Sequence, residues 1–107
     1  MALELTSETF ESHVLQSDVP VLVDFWGTGC PPCNAIAPLI DDLAEESSGD
    51  YRVAKVHVQS APDLARRFGI NAVPTLLFFQ KGQVVKTLVG VQSKSALLGA
   101  FEEAKSA

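Results

Sequence analysis

Cys30-Pro31-Pro32-Cys33 constrains this chain more than any other stretch. The only two cysteines lie there, three positions apart. Just before them runs Val21-Leu22-Val23-Asp24-Phe25-Trp26, nearly continuous apolar, the pattern of a central strand buried on both faces. Just after them Ile36, Leu39, Ile40, Leu43 and Ala44 recur at i, i+3, i+4, i+7 and i+8, the period of an amphipathic helix. The pair therefore sits at a strand-to-helix junction, where free backbone N–H groups and the helix dipole favour an anion, here a thiolate. A thiolate is the species that attacks a disulfide. The position points to dithiol/disulfide chemistry.

Competing uses of the pair fit less well. A disulfide across two intervening residues closes too short a loop to constrain much of the unfolded chain. A mononuclear zinc site needs about four ligands, and no second Cys/His cluster exists, His13 and His57 being far from the pair in sequence. An iron–sulfur cluster held by two such pairs from two chains stays open. Neither histidine is assigned a catalytic or metal role. The chain carries 13 acidic against 8 basic residues, a net charge of -5. That disfavours nucleic acid and anionic membrane surfaces, both of which select basic patches. No apolar run approaches the roughly 20 residues of a membrane span. The N-terminal stretch lacks the basic start and long apolar core of a signal peptide, so a cytoplasmic location is expected.

The chain's 107 residues read as one domain, 1–107. Thr6 or Ser7 caps a first helix with Phe10 and Val14 inward, broken at Asp18-Val19-Pro20. The long helix after the cysteines runs to about Glu46, with a kink expected at Pro38. Arg52 to Val58 reads as a second buried strand. Ser60 caps a short helix with Leu64 and Phe68 inward and Gly69 at its end. Leu76 to Phe79 is a strand, Lys81-Gly82 a turn, and Val84 to Val89 the hairpin partner. Ser93 caps a last helix with Leu97, Leu98 and Phe101 inward. Helix pairs Asp41-Asp42, Glu45-Glu46 and Arg66-Arg67 read as solvated faces. The order β-α-β-α-β-β-α after a first helix predicts an α/β sheet with helices on both faces.

Over essentially its whole length the chain resembles the thioredoxin family. The resemblance is carried by Val21 to Trp26, the C-x-P-C form of Cys30 to Cys33, Ala37-Pro38, Ala54-Lys55-Val56 and Val73-Pro74-Thr75-Leu76, in matching order and spacing. It implies the thioredoxin fold, a central mixed β-sheet between two helix layers. Two departures stand out: the family usually has Trp before the first Cys and Gly after it, where this chain has Gly29 and Pro31.

The resemblance also implies roles. Cys30 is the nucleophile, and Cys33, further into the helix and more buried, resolves the mixed disulfide. Asp24, the one charge in its strand, is the general acid/base for Cys33, with Lys55 as its partner. Val73-Pro74 is the cis-proline segment that meets substrate backbone. Trp26 packs beside the site. Gly29, Pro31, Val73, Pro74, Val89, Gly90 and Val91 form a shallow apolar docking surface. Pro31 removes an N–H donor that the family's glycine supplies and stiffens the turn.

The expected activity is reduction of disulfides in substrate proteins by a monomer with no bound cofactor. A thioredoxin reductase using NADPH and FAD, or a ferredoxin-linked equivalent, restores the dithiol. Two alternatives stay open: an oxidase or isomerase, because the dipeptide between the cysteines tunes the potential, and a partner-binding module with secondary redox activity.

Overall fold

A computed structural model describes residues 2–107. Its sheet is built around the strand that precedes the cysteines. Five strands lie in the order β1-β3-β2-β4-β5, with β1 Leu3–Leu5, β2 Val21–Trp26, β3 Arg52–His57, β4 Thr75–Gln80 and β5 Gln83–Val89. β1, β3 and β2 run parallel, and β4 and β5 are antiparallel, so the sheet is mixed. This is the thioredoxin fold that the resemblance implied. β2 is central because it is apolar on both faces; Val21 to Phe25 are all buried.

Successive residues of β2 feed opposite cores, as period-two alternation requires. Leu22 joins Leu76 and Phe78 beneath α1 (Pro31–Glu46) and α3 (Lys94–Ser106), against Ile36, Ile40, Leu43, Leu97 and Phe101. Val21, Val23 and Phe25 join Phe79, Phe10, Val14 and Leu64 on the other face, under a π-helical turn (Glu11–Leu15) and α2 (Pro62–Arg67). Among the described residues, no helix is long and apolar enough to cross a membrane.

Several local expectations are met. α1 ends at Glu46. Ser93 Oγ accepts the Ala96 N–H at 3.1 Å and caps α3. The β4–β5 hairpin turns on Lys81 and Gly82, both at positive φ. α2 closes as expected at Gly69: Gly69 N–H reaches Arg66 O, and Ile70 N–H reaches Ala65 O at 2.8 Å, a Schellman ending.

Others are corrected. β1 is an additional strand, fixed by pairing with β3 rather than by any pattern in three residues. The first helix is only a π-helical turn after Phe10; Thr6 opens it, its carbonyl accepting from Thr9 and Phe10, while Ser7 Oγ donates to Asp63. Ser60 does not cap α2, whose cap position is Ala61 with no side-chain bond; the Ser60 hydroxyl is held by His57 Nδ1 at 2.6 Å. Leu98 points outward at 38% exposure, and Ala100 and Ala104 take the inner face of α3 with Leu97 and Phe101.

Candidate active site

The site forms where β2 hands the chain to α1. Gly29 sits at φ +71° with open space about it, a conformation that glycine adopts without cost. Cys30 then takes extended φ and occupies the cap position of α1. Pro31 and Pro32 fill the first two helical positions, where an N–H has no intrahelical partner. They also leave the cap with one donor nearby: Cys33 N–H reaches Cys30 Sγ at 3.2 Å. Asn34 N–H reaches the Cys30 carbonyl at 3.1 Å and begins the helical ladder.

Cys30 and Cys33 are joined as a disulfide, their Cα atoms 5.3 Å apart. Cys33 is the more deeply buried, 3% exposed against 8%. Cys30 Sγ lies 3.7 Å from the Val73 carbonyl oxygen. In the disulfide this is a contact; in the dithiol it offers the thiol an acceptor. The Val73-Pro74 peptide is cis, as the resemblance implied. Pro74 itself is buried, and its carbonyl accepts the Gly90 N–H at 2.9 Å. Pro74 therefore underlies the surface rather than forming it. The exposed rim consists of Gly29, Pro31, Val89 and Val91, the two valines 58% and 56% exposed, with Val73 half-buried between. Gly90, at φ +89°, bends the chain between those valines.

Asp24 is 1% exposed, on the sheet face covered by α1. Its Oδ1 is buried with no hydrogen-bond partner. Burial pushes its carboxyl up to about 7; Lys55 pulls it down, and Glu4 pushes it up further. Lys55 neighbours Asp24 in register but makes no ion pair or hydrogen bond with it. Lys55, expected as the partner of Asp24, acts on it through space. The ammonium lies 4.9 Å over the Trp26 ring instead.

Trp26 stands at the end of β2 in a cluster that the sequence did not reveal. Its indole N–H donates to Glu4 Oε2 at 3.2 Å, and its ring lies 4.5 Å from that of His57. His57 Nε2 shares a 2.8 Å hydrogen bond with Thr28 Oγ1, and Thr28 N–H donates to Gln59. The loop before Cys30 is thereby tethered to β3 and the segment after it. The β1–β3 and β2–β3 registers bring these residues together, and neither belongs to any local pattern.

Comparison with known proteins agrees with this geometry. The thioredoxin family model matches residues 1–103. Thioredoxin 1 of Nostoc sp. is 42% identical over 102 residues, 95% of this chain and 95% of the relative. Thioredoxin of Mycobacterium tuberculosis H37Rv is 45% identical over 96 residues, 90% of this chain and 83% of the relative. A protein of Mycobacterium leprae named bifunctional thioredoxin reductase/thioredoxin is 44% identical over 98 residues, 92% of this chain but 21% of that longer protein. A dithiol/disulfide couple in this setting is a thiol–disulfide oxidoreductase site.

Proposed function

Because the chain belongs to the thioredoxin family, we propose that its Cys30–Cys33 couple reduces disulfide bonds in substrate proteins. The observation that carries the reading is the placement of Cys30 Sγ. It caps a 16-residue helix, receives the Cys33 N–H and abuts the Val73 carbonyl beside an exposed apolar rim. The helix terminus favours the thiolate.

In the dithiol form, Cys30 thiolate attacks one sulfur of the substrate disulfide. A Cys30–substrate disulfide forms, and the other substrate sulfur leaves as a thiolate that takes up a proton. Cys33 then gives its proton to Asp24, whose carboxyl near neutrality is matched to such a transfer. Cys33 thiolate attacks Cys30 Sγ, the second substrate thiolate departs and is protonated, and the Cys30–Cys33 disulfide closes. Two electrons and two protons have passed to the substrate. Val73 and Gly90, with Pro74 beneath them, present the backbone and rim against which a substrate segment lies, and Gly29 in place of a large side chain flattens that rim. Trp26 and Lys55 support the site from the β2–β3 side.

A thioredoxin reductase returns the electrons, drawing them from NADPH through its own FAD, or from ferredoxin in an equivalent system. The relative that joins a thioredoxin to a reductase in one chain supports such a partner. The protein acts as a monomer in the cytoplasm and carries electrons on its cysteines alone, without a bound cofactor.

The prolines bear on direction. Each lacks an N–H, so Cys30 thiolate receives one backbone donor where more are possible. Less stabilisation of the reduced form makes the couple more reducing. Equilibration against dithiothreitol and glutathione buffers tests this. A potential near or below about −270 mV supports a reductase, whereas about −180 to −120 mV overturns that direction in favour of an oxidase or isomerase. Cys33→Ser is expected to accumulate the Cys30–substrate disulfide on a soluble disulfide-bonded protein, and Cys30→Ser to form none. A biological effect that survives Cys30→Ser would make the protein a binding module.

A further inference from the structure

Glu4 lies on β1, the strand without a sequence signal. In register it stands beside Lys55, and Lys55 stands beside Asp24. Three strands thus set a carboxylate, an ammonium and a carboxyl in one row across the sheet. The row continues into Leu76 and Leu88, which are apolar. Lys55 forms no ion pair within 4.0 Å with either acid; the pairs among the described residues are Lys86–Glu103, Lys94–Glu46 and Lys105–Glu102. Its ammonium lies over the Trp26 ring, and that ring is held by the bond from its indole N–H to Glu4. Glu4 therefore touches the platform on which Lys55 rests and faces the same cation that faces Asp24.

We propose that Glu4 is a positioning residue for the proton chemistry of the redox site: it anchors Trp26 beneath Lys55 and divides the ammonium's attraction between two carboxyl groups, favouring the protonated form of Asp24. The inference rests on the reading of Asp24 as proton acceptor for Cys33. The electrostatic balance has this sign, Lys55 lowering the affinity of Asp24 for its proton and Glu4 raising it. Other groups near the row do not replace Glu4. On α1 the titratable side chains beside the junction are Cys30 and Cys33, joined here as a disulfide. On β3, His57 is aligned with Trp26 rather than with Asp24, and β4 contributes Leu76.

Glu4→Gln keeps an acceptor for the indole N–H and removes only the charge. In the oxidised full chain, the carboxyl carbon resonance of Asp24 is expected to titrate about half a pH unit lower. That is the size of a Coulomb interaction across two strand spacings, about 10 Å, with one partner in water. The shift is a roughly threefold loss of proton affinity. Because Glu4 is exposed, about 1 M salt should erase it, as screening requires and a packing defect does not. An unchanged or raised midpoint overturns the inference.

The pH dependence of mixed-disulfide release, compared with that of Asp24→Asn, separates the two readings. If Asp24→Asn abolishes the pH-dependent limb and Glu4→Gln leaves it in place, Glu4 has no part in the chemistry and Asp24 keeps its role. If Asp24→Asn leaves the profile unchanged from pH 6 to 9, the role of Asp24 falls, and that of Glu4 in the reaction falls with it, whatever the resonance does.

Discussion

On the sheet face covered by α2 and the π-helical turn, Phe10, Phe25, Phe68 and Phe79 form a ring cluster with centroids 5.3 to 6.1 Å apart. A buried hydroxyl on that face, Thr75, donates to the Ala72 carbonyl at 2.6 Å. On the face covered by α1 and α3, the same central strand supplies Asp24, whose buried Oδ1 has no partner. Both faces are close-packed, yet one pairs its hydroxyl within the protein and the other holds a desolvated carboxyl with one oxygen unpaired. Such a group costs a few kcal/mol when charged, so it persists only where something other than stability favours it. The aromatic face holds the fold together, and the α1 face gives up part of that stability to place an acid below the cysteine helix.

Deleting a ring from the aromatic face should give the largest effect. Phe79 is 1% exposed and packs edge-on against Phe10 and Phe68. Phe79→Ala should lower the unfolding free energy by about 3–5 kcal/mol, a large part of the roughly 5–15 kcal/mol of a small domain. Denaturant titration measures this. The pH profile of disulfide exchange in the surviving folded fraction should not move; if it does, the two faces are coupled and the contrast between them fails.

Neutralising Asp24 should act in the opposite direction. The carboxyl titrates at 3.8 when free and at about 7 in the folded protein. Between those values the folded state binds more protons than the unfolded state, so stability falls as pH rises and the loss is complete above about 7. Asp24→Asn removes the ionisation. It should therefore be more stable than the parent by roughly 4 kcal/mol at pH 8 and about equal to it below pH 4. A pH-independent difference between the two proteins would mean that the carboxyl is not desolvated in the folded state.

The contrast between the faces was partly legible in the sequence. Asp24 was conspicuous because every neighbour in Val21 to Trp26 is apolar. The bounds of β2 and α1, the hairpin and the Ser93 cap were legible too, because alternation, helical period and turn chemistry are local. What was not legible depends on pairing between distant segments. Three residues of β1 carry no strand signal, and β3 makes them a strand. Ser60 precedes a proline like a cap, but a histidine three residues earlier captures its hydroxyl. Leu98 and Leu97 are equivalent in composition, and only the angle at which α3 meets the sheet decides which is buried. At the site, the cysteines and Asp24 could be named from the chain alone. The acid on β1 and the tether from His57 to Thr28 could not, because their partners lie 22 and 29 positions away.

The smallest expected effect tests whether the row on the α1 face behaves as an electrostatic unit. Lys55→Met keeps an unbranched apolar stem against Trp26 and removes the cation. Since Lys55 lowers the proton affinity of Asp24, its loss should raise the Asp24 midpoint above about 7. A rise of about half a unit to one unit is expected for an adjacent-strand charge at intermediate dielectric. The pH range over which stability falls should extend upward with it, adding about 1 kcal/mol to the cost of ionised Asp24 at pH 9. Carboxyl resonances and denaturation at several pH values read the two quantities independently. An unmoved midpoint would mean that the ammonium serves the Trp26 ring alone. Asp24 would then be tuned by burial, and the charged row would be three neighbours without a common field.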